Sequence, residues 1–488
     1  MRLFLLLLLL CPLLLSPLTA TAFTANVMAP LLVEDRAEFR RQLAVAKQIG
    51  VDGVSVDVWW GLVEQTGDQQ FNWQYYDAVF ADIRGAGLNI IPIMAFHQCG
   101  GNVGDDCDIP LPPWIWLHYA AAGVSAVDLQ YQSEFGNRSV ETVSLWADKW
   151  VLKQYSEFMQ AFAKRYAELA PQISEINISM GPAGELRYPS YNSHDGTRTG
   201  YPSRGGFQAY SALAVTDFRR AMQQQYQQVS QLNQSWRSNF SSFEQVLPPA
   251  DGAAFIHSGA QFNTAYGRDF IRWYHQALLD HGQRMLDAAQ AAFIGELAAT
   301  ELGYKIPGIH WKMAATDHSR RSAELAAGLI ASDTPYLSSK GFGYSNIVAL
   351  AARNTTAARA VVLHFTALEM DDNPTTDSQS LANSLVTWVG AEAARQQVII
   401  KGENALAAGV THANGWNNIT AVFAGGHYGG MTVLRLAQIT DGGIGQQRYQ
   451  PLIAELKSAA IISAAQLRWR RFEKTKRHAT LARFFTSG

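Results

Sequence analysis

Apolar and polar positions along the chain follow two periods, and each period names an element. Short apolar runs rich in β-branched residues, such as Gly53-Val54-Ser55-Val56-Asp57-Val58, read as buried strands. Just beyond, Tyr76, Val79, Phe80 and Ile83 fall at i, i+3, i+4 and i+7, one face of a helix that Gly85 and Gly87 end. Leu88 to Phe96 is again a strand. Tyr155, Phe158, Phe162, Tyr166 and Leu169 form a second helical stripe, and Ile173 to Met180 returns to strand. Runs near Thr24 to Leu32, Leu302 to Ile309, Val361 to Leu368, Gln397 to Lys401 and Gly430 to Leu436 bring the strands to eight. Eight strands separated by helices predict an α/β fold, a (β/α)8 TIM barrel whose long βα-loop insertions form a small lobe at the C-terminal face of the strands. A doubly wound open sheet is the alternative. It is disfavoured because the first strand-to-helix turn lacks a dinucleotide glycine fingerprint and no GxxxxGK[ST] loop occurs.

The chain start has a different pattern. Met1-Arg2, an apolar run from Leu3 to Leu15, and Ala20-Thr21-Ala22 predict a secretion signal over residues 1–22, cleaved after Ala22. A membrane anchor needs about 20 apolar residues, more than this Pro12-interrupted run supplies. No linker divides the rest of the chain, so residues 23–460 are expected to be one catalytic domain, with residues 461–488 a basic, solvated tail around Arg468-Trp469-Arg470-Arg471. Composition adds exclusions. With 39 basic and 41 acidic side chains, the chain is not charged like a nucleic-acid binder, and no later stretch is apolar enough to span a membrane. Beyond the leader only Cys99 and Cys107 remain, and two cysteines in an exported chain suggest one disulfide.

In a barrel enzyme the reacting groups sit at the C-terminal ends of strands. Asp57 and Trp59-Trp60 close the second strand, His97 the third, and Glu185 lies five residues beyond the fourth. Lys305 and His310 flank the end of the fifth, while Thr366, Glu403 and Arg435 stand at the sixth, seventh and eighth. A lone glutamate in such a place is more often a helix cap or ion-pair partner than a catalyst. Glu185 and Glu403, however, both follow glycine-bearing turns, Gly181-Pro182-Ala183-Gly184 and Lys401-Gly402, where a ligand can approach the backbone. Two such carboxylates can divide glycosidic cleavage, one protonating the leaving oxygen and the other activating water or attacking carbon. Trp59, Trp60, Tyr188, Tyr191 and Trp311 would offer flat faces to sugar rings, or simply fill the core.

Longer segments make the picture specific. Val56-Asp57-Val58-Trp59-Trp60-Gly61, Phe96-His97-Gln98-Cys99-Gly100-Gly101-Asn102-Val103-Gly104-Asp105, Gly181-Pro182-Ala183-Gly184-Glu185-Leu186-Arg187-Tyr188, Lys305-Ile306-Pro307-Gly308-Ile309-His310-Trp311, Phe365-Thr366-Ala367-Leu368-Glu369-Met370 and Gly402-Glu403-Asn404-Ala405-Leu406 resemble β-amylases, in order, from about Met28 to Arg435. The resemblance implies an inverting exo-hydrolase that removes β-maltose from the non-reducing ends of α-1,4-glucans such as starch. It assigns Glu185 as general acid and Glu403 as general base. Asp57, His97, Asp105, Lys305, His310, Thr366, Asn404, Ala405 and Arg435 would bind glucose units. Inversion needs room for a water, hence carboxyl groups roughly 6.5–9.5 Å apart. The glycine-rich segment from Gly100 to Asp105 would close over bound sugar, and Thr366 would sit on a second segment that switches contacts.

The spacing of Cys99 and Cys107 resembles that of bacterial members, which implies a bridge between them. Those members also hold a structural calcium, and Glu64, Asp68, Gln69, Gln154 and Glu157 stand in the corresponding places, with Gln69 where Asn is expected. The chemistry itself would require no cofactor. The region from Ser319 to Ala360 departs from the family and no starch-binding module follows the barrel. The implied protein is a secreted monomer acting on starch and maltooligosaccharides, with neither nucleic acid nor membrane as partner. Two alternatives stay open: a retaining glycosidase using the same two carboxylates, and a non-catalytic glucan-binding or sensing protein on the same scaffold. Sequons begin at Asn137, Asn177, Asn233, Asn239, Asn354 and Asn418, several of them within the expected barrel.

Overall fold

A computed structural model describes residues 23–102, 104–331 and 342–459; the expected signal and the basic tail lie outside them. Residues Thr24–Ile453 make one compact unit. Within it eight parallel strands close a barrel in chain order: β1 (Thr24–Met28), β2 (Gly53–Trp59), β3 (Asn89–Ala95), β4 (Glu175–Ile178), β5 (Glu301–Ile306), β6 (Val361–Phe365), β7 (Ile400–Glu403) and β8 (Gly430–Val433). β8 returns to β1 with Thr24 opposite Gly430 and Val27 opposite Val433, so the barrel has no edge strand. The eight apolar runs are therefore the eight barrel strands, and the open-sheet alternative falls.

Two boundaries differ from the sequence expectation for identifiable reasons. β1 stops at Met28, just before Pro30, which has no N–H for a sheet ladder. β7 begins at Ile400, three residues later than expected. Gln397 leaves the preceding helix in left-handed backbone, with φ 59°, and Val398 still donates to Ala393 in that helix. The shift places Glu403 on the strand itself.

Helices cover the outside. α1 (Arg36–Gln48) is capped by Asp35, whose carboxylate accepts from Ala37 N and Glu38 N. α2 (Gln74–Gly85) buries Tyr76, Val79, Phe80 and Ile83, the stripe read from the sequence. α3 (Asp148–Arg165) buries Tyr155, Phe158 and Phe162, but ends before Leu169, which lies in a 3-10 segment, Ala167–Gln172. α4 (Ala265–Ala292) runs for 28 residues. Long insertions follow β3 and β4 and pack on each other. Gln132 bridges to Ala209, and Glu134 accepts from Phe207 N at 2.9 Å and from Arg204 at 2.8 Å. They form the expected small lobe. Of the sequons, Asn177 lies in β4 and Asn354 is buried.

Candidate active site

Glu403 is the last residue of β7 and is buried at the mouth of the barrel. Its Oε2 receives Lys305 Nζ from β5 at 2.5 Å. Burial alone pushes the Glu403 carboxyl up, but the Lys305 ammonium and the His364 ring outweigh it and hold the group at about 2. The backbone of Lys305 in turn forms a parallel bridge with Glu185, and Leu186 N donates to Lys305 O at 2.8 Å. One residue thus touches both carboxylate-bearing segments.

Glu185 follows a tight turn in which Ala183 (φ 53°) and Gly184 (φ 77°) adopt left-handed backbone. A Cβ on Gly184 would stand 3.3 Å from the His97 ring, so the glycine lets the acid-bearing loop close onto β3. Glu185 Oε2 accepts from Arg187 Nε at 2.8 Å and from Tyr191 Oη at 3.4 Å. The Arg187 guanidinium is buried and lies 4.1 Å over the Tyr191 ring. Arg187 belongs to the Gly181–Tyr188 motif, yet nothing in the spacing told that it would clamp Glu185.

The other expected sugar-binding residues surround these two. Burial raises the Asp57 carboxyl against the pull of Arg435 and Lys305, with Glu403 and Asp105 adding repulsion, so five of the expected side chains share one electrostatic field. His97 Nδ1 pairs with Ser179 Oγ at 2.8 Å and its ring meets Trp59 edge-on; burial, with Lys305 and Arg187 nearby, lowers it to about 3. His310 Nδ1 pairs with Ser380 Oγ at 2.7 Å, and burial lowers it to about 4. Both rings are therefore neutral near pH 7, each fixed by a serine whose role the sequence did not signal. Thr366 Oγ1 accepts from Gly308 N at 3.0 Å, tying the loop after β6 to that after β5.

Three expected contacts have another occupation in this structure. Asn404 donates to the carbonyls of Leu406 and Leu434 and accepts from Leu434 N at 2.8 Å, so its amide braces the ends of β7 and β8. Ala405 N donates to both oxygens of Glu369 at 3.0 Å, which leaves its carbonyl for a ligand. Asp105 Oδ2 accepts from the backbone N–H groups of Gly100 and Asn102 within its own glycine-rich segment, at 2.9 and 3.1 Å. Positive φ at Gly100, Gly101 and Gly104 makes that tight fold possible. At its base Cys99 and Cys107 stand paired, with Cα atoms 5.7 Å apart, inside the range a disulfide spans.

The aromatic candidates divide. Trp59, Trp60 and Tyr188 are core: Trp60 packs among Phe96, Trp114 and Tyr155, and Tyr188 stacks on Tyr274 at 3.9 Å. Tyr191 packs against Trp311, which is itself buried, and Trp311 lies 5.4 Å from Tyr201, which is 58% exposed. Sequence reasoning also passed over Glu175, His364 and Lys401. All three are buried inside the barrel, and the only sign of them is a charged or polar residue within an otherwise apolar strand run.

The residues expected to hold calcium lie together where the turn after β2 meets α3. Gln154 turns its amide oxygen toward Asp68 Oδ1 and Glu157 Oε2, and its amide nitrogen lies 3.3 Å from His118 Nε2. Glu64 is buried and accepts from the Trp60 indole and from Gln69 N, both at 2.7 Å, and burial raises it to about 7. Among the described residues no group of three or more His, Cys, Asp or Glu is disposed to hold a metal ion.

The sequence signature of glycosyl hydrolase family 14 matches residues 26–461. The chain is 37% identical over 421 residues to the β-amylase of Niallia circulans, covering 86% of this chain and 68% of that protein. It is also 37% identical over 430 residues to the β-amylase of Cytobacillus firmus, covering 87% and 85%. The crystal structure of the catalytic domain of β-amylase from Paenibacillus polymyxa superposes with a TM-score of 0.79 at 35% identity, over 90% of this chain and 99% of that one. A β-galactosidase from Marinomonas ef1, at 12% identity and a TM-score of 0.54, shares the fold alone.

Proposed function

Because the chain belongs to glycosyl hydrolase family 14, we propose that its barrel mouth hydrolyses α-1,4-glucosidic bonds of starch and related glucans from non-reducing ends, releasing β-maltose by inversion. The observation that carries the reading is Lys305, whose backbone is bridged to Glu185 while its ammonium lies on Glu403. Each carboxylate has its own cation, Arg187 for Glu185 and Lys305 for Glu403, so the two are held as separate groups with separate tasks.

In this mechanism Glu185 gives its proton to the glycosidic oxygen as the C1–O bond breaks. Glu403, ionised, takes a proton from a water that attacks C1 on the opposite face, and the product leaves as the β-anomer. Asp57, His97, Asp105, His310, Thr366, Arg435 and the Ala405 carbonyl orient the sugars, with Lys305 shared between base and ligand. Asn404 acts through the loop it braces. The two neutral histidines suit this task, since each has its Nδ1 fixed by a serine and its Nε2 left to pair with a hydroxyl. Secretion after loss of residues 1–22, a Cys99–Cys107 disulfide that limits the travel of the glycine-rich segment, and action as a monomer complete the proposal.

Proton NMR of the chain acting on maltopentaose tests it. Early β-maltose is expected, and Glu185→Gln and Glu403→Gln should each lower kcat by at least about 100-fold. Early α-maltose would instead indicate a retaining enzyme, and no product from the unaltered chain would leave a glucan-binding protein.

A further inference from the structure

The interior of a TIM barrel is ordinarily filled by layers of bulky apolar side chains. Below the mouth of this one, strands β4 to β7 carry charged side chains instead. Lys305, His364 and Lys401 are in register on the adjacent strands β5, β6 and β7, and Glu175 and Glu301 are in register on β4 and β5. Their side chains connect. Lys401 Nζ reaches Glu301 Oε2 at 3.3 Å and Glu175 Oε2 at 2.5 Å, and the other Glu175 oxygen contacts His364 Nε2. His364 Nδ1 faces Glu403 Oε1 at 3.6 Å, and Lys305 closes the series on Glu403 Oε2.

We propose that His364 is a positioning residue for Glu403, an imidazolium held by Glu175 beneath the carboxylate, and that this buried chain of alternating charges sets the pH range over which the base is ionised. The inference rests on Glu403 being the general base. Three cationic and three anionic side chains alternate along the path, so the series is neutral only when His364 carries its proton. Burial opposes that proton, but the Glu175 and Glu403 carboxylates outweigh burial and raise His364. Glu175 is itself held well below the usual carboxylate range, burial notwithstanding, by Lys401 and His364.

The contact with the base is what makes the chain more than a structural ion network. At 3.6 Å the His364 Nδ1 is beyond a good hydrogen bond to Glu403, and it is buried with no hydrogen-bond partner among the described residues. A positive charge beside one carboxylate oxygen, with Lys305 on the other, favours the ionised form of Glu403. From the remaining sides Glu403 faces Asp57 of β2, and Asp57 faces Arg435 beyond β8. Buried charge is costly to keep, and removing one partner leaves the others uncompensated.

The test is the pH dependence of kcat/KM on maltopentaose for the full chain and its His364→Asn variant. Loss of one opposing charge should move the acidic limb upward by about 1–3 units, leaving the basic limb and KM near their original values. Glu175→Gln, nearly isosteric, should move the same limb in the same direction and serves if His364→Asn does not fold. The double variant should shift no further than His364→Asn alone. An acidic limb that stays in place while activity falls equally at every pH would show a structural role only and overturn the proposal, as would additive shifts in the double variant. If instead Glu403→Gln retains activity, it is the assignment of the base that fails.

Discussion

At the residue scale, the site is made of side chains whose charge is decided by their neighbours. His97 and His310 are both neutral because burial lowers them, to about 3 and about 4. The unfolded chain binds these protons near pH 6.5, so the folded state loses stability as pH falls below that value and keeps it above. For His97 the loss between pH 6.5 and 4.5 should be about 2–3 kcal/mol. Urea unfolding at the two pH values checks this: the His97→Gln variant should lose less stability on acidification than the unaltered chain, and equal losses would mean that His97 does not titrate as described. Asp57, Glu185 and Glu403 were each legible as polar residues at strand ends. Arg187, Ser179 and Ser380 were not, because what they do is set by a partner that the chain brings near only on folding.

At the element scale, small residues decide how closely segments approach. Gly61 in the Trp59-Trp60-Gly61 corner is one: a Cβ there would lie 1.8 Å from the Pro110 carbonyl oxygen, so only glycine lets the turn after β2 pack under the loop from β3. That same loop carries Cys99 and Cys107, eight residues apart in sequence. A bridge closing so short a segment contributes about 2.5 kcal/mol in the chain-entropy account. Cys99→Ser, or reductant added to the unaltered chain, should lower the melting temperature accordingly and raise KM for maltopentaose as the segment loosens; a melt indifferent to reductant would show that the thiols are free. Strand existence was readable from periodicity, while strand ends were not. β7 starts late because of one left-handed residue, Gln397, which no hydrophobic pattern reveals.

At the scale of the whole molecule, barrel closure collects residues from seven strands, β2 to β8, at one mouth and stacks charged ones beneath it. Gln154 of α3 faces Asp68 of the turn after β2 and Glu157 of its own helix, with its amide oxygen toward both carboxylates. Added calcium should therefore raise the melting temperature and chelator lower it, as differential scanning calorimetry would read it; a melt indifferent to both would show that the Gln154 amide nitrogen faces the two carboxylates and bridges them without a cation.

The sequence by itself determined the eight strands, the helical faces of α2 and α3 and the two carboxylates at the mouth, because these are written in local periodicity and in residue types that only certain chemistry needs. The tertiary structure alone decided which groups become partners. Lys305 of β5 reaches Glu403 of β7 past the intervening β6, and Arg187 clamps Glu185. Trp60 and Tyr188 become core, Trp311 packs between Tyr191 and Tyr201, and His364 comes to lie between Glu175 and Glu403. Those relations join residues as much as 226 positions apart, as in the Lys401–Glu175 pair. Charge and burial act through distance in space, which periodicity along a chain does not encode.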